Sequence, residues 1–555
     1  MRRGLQHDAT PGVWGLCTVR RTAWQARRMA SSHRPSPEAF DTIVVGGGTA
    51  GCVVAARLAA AGQSVALVEA GPSDRGRPEV LEVRRWPGLL GGALDWDFTI
   101  EPQPRGNSAI RHSRARVLGG CSSHNSCIAF VPPDRDFVAW EKAGATGWGP
   151  AGVAPFFDRV RATVPMGPVP PDNPVNAAVL AACANVGLPT VEFGVGDWFV
   201  PSAGMFTLNV VDGIRQSASV AYLHAAGVDP GRDDPVGGGA ASGSVPWGSN
   251  LHVFTDTTVL GLELFSGRCR GVRTATGVLA ADEVVLAAGA FGSPQLLMLA
   301  GIGPAEHLQS VGIEPLVDLA GVGANLQDHP EGVVVWSTTQ PVPEPVVQEW
   351  EVGIFARVAD DAEGDPNLMF HLGLVPFDAH TTAMGYPTAP NGVSLTPNVC
   401  RSRSRGTVRL RSRHPGDVPA IDFAYFTDPE GHDEAVMVAG VELARRIMAD
   451  GAMAPWIDRE LAPGPAMVDT AELSNYVRST ANTVYHPVGT CRMGTDPATS
   501  PDGTAGAVVD PSLRVHGVEG LRVADASVFP LIPSVNPAIT AMMVGERCAD
   551  FIVGH

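Results

Sequence analysis

Phe40-Asp-Thr-Ile-Val-Val-Gly46-Gly-Gly48-Thr-Ala-Gly51-Cys-Val-Val-Ala-Ala-Arg-Leu58, followed by Ser64-Val-Ala-Leu-Val-Glu69-Ala-Gly71, decides the fold. A β-branched run ends in Gly-x-Gly-x-x-Gly, an Ala-rich helical stretch follows, and a second apolar run closes on an acid. That order predicts a βαβ unit. Gly46 permits the tight turn, Gly48 lets the backbone approach a pyrophosphate, and Gly51 lets helix and strand pack closely. The helix N-terminus faces the phosphate charge, and Glu69 is spaced to accept a hydrogen bond from a ribose hydroxyl.

Far downstream stand Asn482-Thr-Val-Tyr-His486-Pro-Val-Gly-Thr-Cys-Arg-Met-Gly494 and Ser534-Val-Asn536-Pro-Ala-Ile-Thr540. A hydride leaves an alcohol carbon only as the hydroxyl proton is removed. An alcohol oxidoreductase therefore needs a base of near-neutral pKa and a hydrogen-bonding partner beside its redox cofactor. His486 and Asn536 fit those roles; the bland reading of each is a Pro-containing turn.

The 555 residues are too many for one ordinary core and predict two or three domains. With 45% hydrophobic and 17% charged residues the chain reads as a globular enzyme. A formal charge of −17 speaks against nucleic acid and is compatible with a cationic small molecule. The nine cysteines lack metal-ligand spacing, so neither a metal site nor a disulfide framework is indicated, and a reducing cytoplasm is the simpler setting. No apolar run is continuous enough to span a bilayer. Residues 1–38 carry Arg2, Arg3, Arg20, Arg21, Arg27, Arg28 and Arg34 against only Asp8 and Glu38. They read as a targeting leader or as residues upstream of a true start at Met29, and stand outside the fold argument.

Along the chain, 72–112 is rich in Pro, Gly and Trp and reads as an extended excursion. Residues 113–130 form a second Gly/Ser cluster that can bring backbone amides to a ligand. Helices are expected at 175–187, 432–449 and 471–480, strands at 251–264 and 282–288. Gly227–Asn250 reads as a linker. Short alternating runs from 331 to 425 predict an antiparallel sheet covering the substrate.

Taken together, these segments resemble the glucose-methanol-choline (GMC) oxidoreductases, FAD-dependent alcohol oxidases and dehydrogenases. The matching stretches are 43–71, 116–130, 289–303 (with Ala300 where Ser is usual), His486-Pro-Val-Gly-Thr490 and Gly520-Leu-Arg-Val-Ala-Asp525-Ala-Ser527. Within the family the chain looks most like the members that oxidise choline, through Cys121-Ser-Ser-His-Asn-Ser-Cys-Ile-Ala-Phe130 and Leu326-Gln-Asp-His-Pro-Glu-Gly-Val-Val334. The resemblance implies an α/β fold: a Rossmann-like FAD-binding domain (39–165, 215–330 and 484–555) interleaved with an α+β substrate domain on an antiparallel sheet (166–214 and 331–483). The segments Val164–Asp172 and Pro530–Ser534 depart from the family pattern, which bears on pocket shape more than on reaction type.

The same resemblance implies residue roles. His124 matches a covalent flavin attachment point, and Gly119, Gly120, Asn125, Val259 and Asp525 join Gly46, Gly48, Gly51 and Glu69 around the cofactor. Glu331 faces a trimethylammonium group walled by Trp86, Trp350 and Tyr485, in keeping with the preference of a quaternary cation for aromatic faces and a nearby negative charge. His486, Asn536, His371 and Ser126 surround the reacting alcohol. The reaction so implied oxidises choline through betaine aldehyde to glycine betaine, with oxygen reduced to hydrogen peroxide, in the cytoplasm and in a possible homodimer without membrane or nucleic-acid partners. Two alternatives stand beside it: a related alcohol oxidase or quinone-linked choline dehydrogenase, and a flavin-binding protein without turnover.

Overall fold

The computed structural model describes residues 39–224, 245–246, 250–359, 364–495 and 506–554. Residues 1–38 lie outside them, as does the linker expected at 227–250 apart from Val245, Pro246 and Asn250.

The fingerprint folds as β1 (Ala39–Val45), α1 (Gly51–Ala60) and β2 (Val65–Val68), with the two strands parallel and Val44 opposite Leu67. These strands form the middle of a mixed eight-stranded sheet. Strand Leu251–Phe254 runs parallel beside β2, and Gly277–Leu286 runs parallel beside β1. The last half of Gly277–Leu286 also pairs with Leu521–Val523, while its first half pairs antiparallel with Arg268–Thr274. All four residues of β2 are buried, as expected of a parallel strand covered on both faces. Helix Ala538–Val553 packs on α1. Strand Arg268–Thr274 was not anticipated: Gly271 and Val272 are both buried, where its pairing with Val259–Phe265 shifts register, so its buried residues change phase partway along.

A second sheet is antiparallel, in the order Ile457–Ala462, Val334–Thr338, Gly392–Val399, Leu368–Gly373, Trp350–Ala356, Ser202–Met205. The short strands Pro330–Glu331 and Asn482–Thr483 are pinned to it, Glu331 pairing with both Asn398 and Asn482. Three inner strands are buried along their whole length, and helix His432–Met448 packs on one of them, Gly392–Val399. The expected helices appear at Pro174–Asn185, His432–Met448 and Thr470–Thr480. The 72–112 excursion is less extended than expected, with helical turns at Pro78–Leu81 and Val83–Leu89. No helix among the described residues is long and apolar enough to cross a membrane.

Candidate active site

A single cavity of about 580 Å³ runs from Gly46, Gly48 and Glu69 past His124, Asn125 and Ser126 to His486 and Asn536, and on to Glu331, Trp86, Trp350 and Tyr485. Gly120, Val259, His371 and Asp525 also line it. The structure thus brings the N-terminal fingerprint and the C-terminal histidine stretch, more than 400 residues apart in sequence, to one space. Gly51 and Gly119 are the two expected residues that do not form its wall. Gly51 instead packs α1 against the turn, where a Cβ would lie 1.9 Å from the Gly46 carbonyl oxygen; Gly119 supports the second Gly cluster by donating its N–H to the Gly47 carbonyl at 2.7 Å.

The fingerprint end suits a dinucleotide. The residue before α1, Ala50, supplies no side-chain cap; Cys52 N–H donates to the Gly48 carbonyl at 3.0 Å, and the positive end of the helix stands beside the cavity-lining Thr49 and Ala50, where a phosphate would meet it. Gly120 has φ +53°, and a Cβ on it would stand 2.6 Å from Gly48 Cα, so two backbones meet where any side chain would block the wall. Glu69 is clamped, its two oxygens accepting from Gly47 N–H at 2.8 Å and Gly71 N–H at 2.7 Å. Burial outweighs those bonds and pushes its carboxyl up to about 7. At the next turn Asp525 accepts from Gly289 N–H at 2.8 Å and Ser293 Oγ at 2.6 Å.

At the other end, the protonation of His486 follows from its neighbours. Nε2 of His329 lies 2.8 Å from the Cys400 carbonyl oxygen and 3.1 Å from that of Pro533, both acceptors, so it carries the proton. Burial holds the His329 ring below its ordinary pKa and hence neutral, which leaves Nδ1 with a lone pair. The contact of 2.9 Å between the two Nδ1 atoms is then a hydrogen bond donated by His486. Nε2 of His486 is left as the lone-pair nitrogen, with the Asn536 amide donating to it at 3.4 Å. The Asn536 carbonyl oxygen is buried and has no hydrogen-bond partner among the described residues. Burial first, then the His329 ring, depress His486 well below its ordinary pKa. This corrects the expectation of a near-neutral base: the ring is neutral throughout the physiological range.

Asp328 holds this arrangement in place. One oxygen accepts from the His486 backbone N–H at 2.9 Å; the other accepts from the Thr483 hydroxyl and from Tyr425 OH at 2.5 Å, with His112 Nε2 at 3.6 Å. These partners, led by His112, keep its carboxyl well below the usual range despite full burial. The Thr483 hydroxyl in turn accepts from Tyr485 N–H at 2.7 Å, and the Arg114 guanidinium donates to the Tyr485 carbonyl. Tyr485 is thereby held at φ +63°, a conformation that needs outside support in a residue with a side chain.

Glu331 is 6% exposed and pairs with no Lys or Arg among the described residues. His371 Nδ1 is 4.0 Å away, but burial pushes that ring down to about 3 and keeps it neutral; the Asn398 amide donates to the same nitrogen at 3.3 Å. With desolvation opposed only by a hydrogen bond from Thr396, the Glu331 carboxyl rises to about 8. Trp350 lies edge-on to both His371 and Phe377 at centroid distances of 6.2 and 5.3 Å, and Trp86 Nε1 donates to Glu349 at 3.2 Å. The result is a buried carboxyl that shares the cavity with Trp86, Trp350 and Tyr485 and has no Lys or Arg partner among the described residues. Sequence reasoning assigned nothing to Asp328, His329, Asn398 or Phe377. The first two sit in the quoted Leu326–Val334 stretch, and two polar residues directly before His486's neighbouring strand were the available signal.

The described geometry agrees with what the chain is similar to. GMC oxidoreductase family profiles match residues 40–231 and 246–331 (N-terminal part) and 402–545 (C-terminal part), and the chain belongs to this family. It is 50% identical over 544 residues to choline oxidase from Arthrobacter globiformis, covering 93% of this chain and 95% of that protein. It is 32% identical to the oxygen-dependent choline dehydrogenase of Brucella ovis, covering 93% and 96% respectively. Among solved structures, pyridoxine 4-oxidase from Mesorbium loti superposes with a TM-score of 0.80 at 30% identity over 93% of this chain and 99% of that one. A structure of Aspergillus oryzae formate oxidase addressing modification of its FAD gives 0.79 at 25% identity, over 93% and 99%.

Proposed function

We propose that this protein is an FAD-dependent choline oxidase, converting choline through betaine aldehyde to glycine betaine while oxygen is reduced to hydrogen peroxide. The observation that carries the reading is the single cavity with a dinucleotide cradle at one end, a neutral lone-pair imidazole midway and a buried carboxyl with aromatic rings at the other. The 50% identity to a choline oxidase supports the substrate.

FAD, held by Gly46, Gly48, Glu69, Gly120, Val259 and Asp525 with His124 as its covalent attachment point, supplies the two-electron acceptor and the reaction with oxygen. The protein supplies binding and proton control. Glu331 and the faces of Trp86, Trp350 and Tyr485 hold the trimethylammonium group, which cannot donate a conventional hydrogen bond. That anchor sets the hydroxyl toward His486, Asn536 and Ser126. Nε2 of His486, released from its long contact with the Asn536 amide, takes the hydroxyl proton as hydride leaves the α-carbon, and that amide then donates to the hydroxyl oxygen. Asp328 and His329 hold the ring's backbone and tautomer. Hydrated betaine aldehyde again presents a hydroxyl on a carbon bearing hydrogen, so the same base serves both steps. The domain division, the cytoplasmic location and a homodimer belong to this proposal on the strength of the family resemblance.

Mixing the holoenzyme anaerobically with choline, then admitting oxygen, tests the reading. Bleaching of the flavin followed by recovery of colour and one peroxide per recovered flavin is expected. Unbleached flavin would contradict it, and bleaching that recovers only with an added quinone would assign a dehydrogenase.

A further inference from the structure

The attachment residue His124 is joined to a second buried group that the oxidation reaction does not use. Ser113 Oγ lies 2.5 Å from Asp95 Oδ2 and 3.3 Å from His124 Nδ1, and both Ser113 and His124 line the cavity. The Ser113 hydroxyl has one proton, and the short contact to a carboxylate takes it. Toward His124, therefore, its oxygen accepts. On the other side of the ring, Nε2 faces the Leu89 carbonyl oxygen at 2.9 Å, another acceptor. Burial pushes the ring down to about 4, so it is neutral and has one proton for two acceptors.

Asp95 is fixed independently of His124: its Oδ2 also accepts from Gly91 N–H at 2.7 Å and its Oδ1 from Asp97 N–H and Arg114 N–H at 2.8 Å each. The carboxylate is thus a rigid terminus rather than a side chain that follows the ring. The shorter contact, to Leu89, holds the ring proton on Nε2; moved to Nδ1 it is directed along Ser113 to Asp95 and leaves Nε2 with its lone pair.

We propose that Asp95 and Ser113 are positioning residues for flavin attachment: they supply the acceptor that draws the His124 proton from Nε2 to Nδ1, which frees Nε2 as the nucleophile, and they receive the Nδ1 proton as the ring becomes alkylated. This inference rests on the covalent reading above. In the step, the Nε2–carbon bond forms at the flavin 8α-methyl group as that carbon loses a proton and the isoalloxazine takes up the electron pair. The imidazole proton leaves through Ser113 to Asp95 and from there to solvent; the proton lost by the 8α carbon and one taken back from solvent accompany the electron pair onto the ring. Oxygen, the acceptor of the proposed reaction, then reoxidises the flavin and yields hydrogen peroxide.

The test measures acid-stable flavin as a fraction of total flavin, in freshly purified holoenzyme and during incubation in air, for wild type, Ser113→Ala, Ser113→Thr and Asp95→Asn. Wild type is expected to retain its flavin on acid precipitation. Ser113→Ala should bind the same total FAD but attach it roughly 10–100-fold more slowly, the usual weight of an outer partner of a functional histidine; Asp95→Asn should act in the same direction, and Ser113→Thr, which keeps the hydroxyl, should restore attachment. Wild-type protein that releases all its flavin would sink the covalent reading itself. Covalent wild type with Ser113→Ala attaching at the same rate would overturn this inference alone. Should Ser113→Ala fail to hold FAD, Ser113→Cys, close in size but a weak hydrogen-bonding partner, is judged by the same rates.

Discussion

Glu331 gives the account its sharpest quantitative consequence. Its carboxyl is pushed up to about 8 because burial is opposed by little more than a Thr396 hydrogen bond. At pH 7 only about one molecule in eleven is ionised, and holding the group charged costs about 1.4 kcal/mol. A quaternary ammonium binds the ionised form, so apparent affinity is reduced by the ionised fraction. The kcat/KM for choline, which reports the free enzyme, should therefore rise about tenfold between pH 7 and pH 9 and level off above. The uncharged isostere 3,3-dimethylbutanol should show no rise from this group, since it gains nothing from the carboxylate. Glu331→Gln should abolish the rise and lower choline kcat/KM at pH 9 by roughly thirtyfold, equivalent to about 2 kcal/mol for a desolvated cation contact, with far less effect on the isostere. The sign for stability follows from the same shift. The folded pKa exceeds the unfolded value of about 4.3, so this group's contribution is full below that value and is lost as pH rises toward 8. Saturating choline should offset that loss. A flat choline profile between pH 7 and 9, or a tenfold rise that persists in Glu331→Gln, would refute the reasoning.

Asp328→Asn removes the charge that gathers Tyr425, Thr483, His112 and the His486 backbone. It should cost about 3 kcal/mol, measured by chemical denaturation. Because the Asp328 pKa is depressed in the fold, the wild-type contribution is present above about pH 4 and is lost at more acid pH; the variant should lack that acid-dependent component. His329→Ala releases the His486 tautomer and should slow anaerobic flavin reduction ~10–100-fold with normal flavin content. Gly120→Ala places a Cβ 2.6 Å from Gly48 Cα at positive φ, so purified protein should carry markedly less FAD per chain by absorbance.

The local periodicity of the chain announces much of this fold. The β1–α1–β2 unit, the helices Pro174–Asn185, His432–Met448 and Thr470–Thr480 and the antiparallel second sheet follow from apolar spacing and glycine placement; the helices Pro150–Thr163 and Ala538–Val553 were not anticipated. Strand Arg268–Thr274 does not follow from them, because its burial changes phase at Gly271 and Val272, where the pairing shifts register. At the site, residue types mark His486 and Asn536 as an alcohol-handling pair, yet the protonation of His486 was not legible. It depends on His329, 157 residues earlier, and on two backbone carbonyls that only tertiary packing brings to that ring. The expectation of a near-neutral base was wrong for the same reason: free imidazole chemistry takes no account of full burial beside a second ring. The rise of activity with pH is therefore expected from Glu331, whose raised pKa also arises from packing and was invisible in its His-Pro-Glu context.

The central claim is that Nε2 of His486 takes the hydroxyl proton as choline is oxidised. Stopped-flow reduction of the flavin by saturating choline, without oxygen and at matched flavin content, measures this step in wild type and His486→Ala. The account predicts a rate ~10²–10⁴-fold lower in the variant, the usual worth of a general base, with choline affinity changed far less because Glu331 and the aromatic wall are untouched. Reduction at the wild-type rate would contradict it and move the base to another residue of the cavity, His371 first.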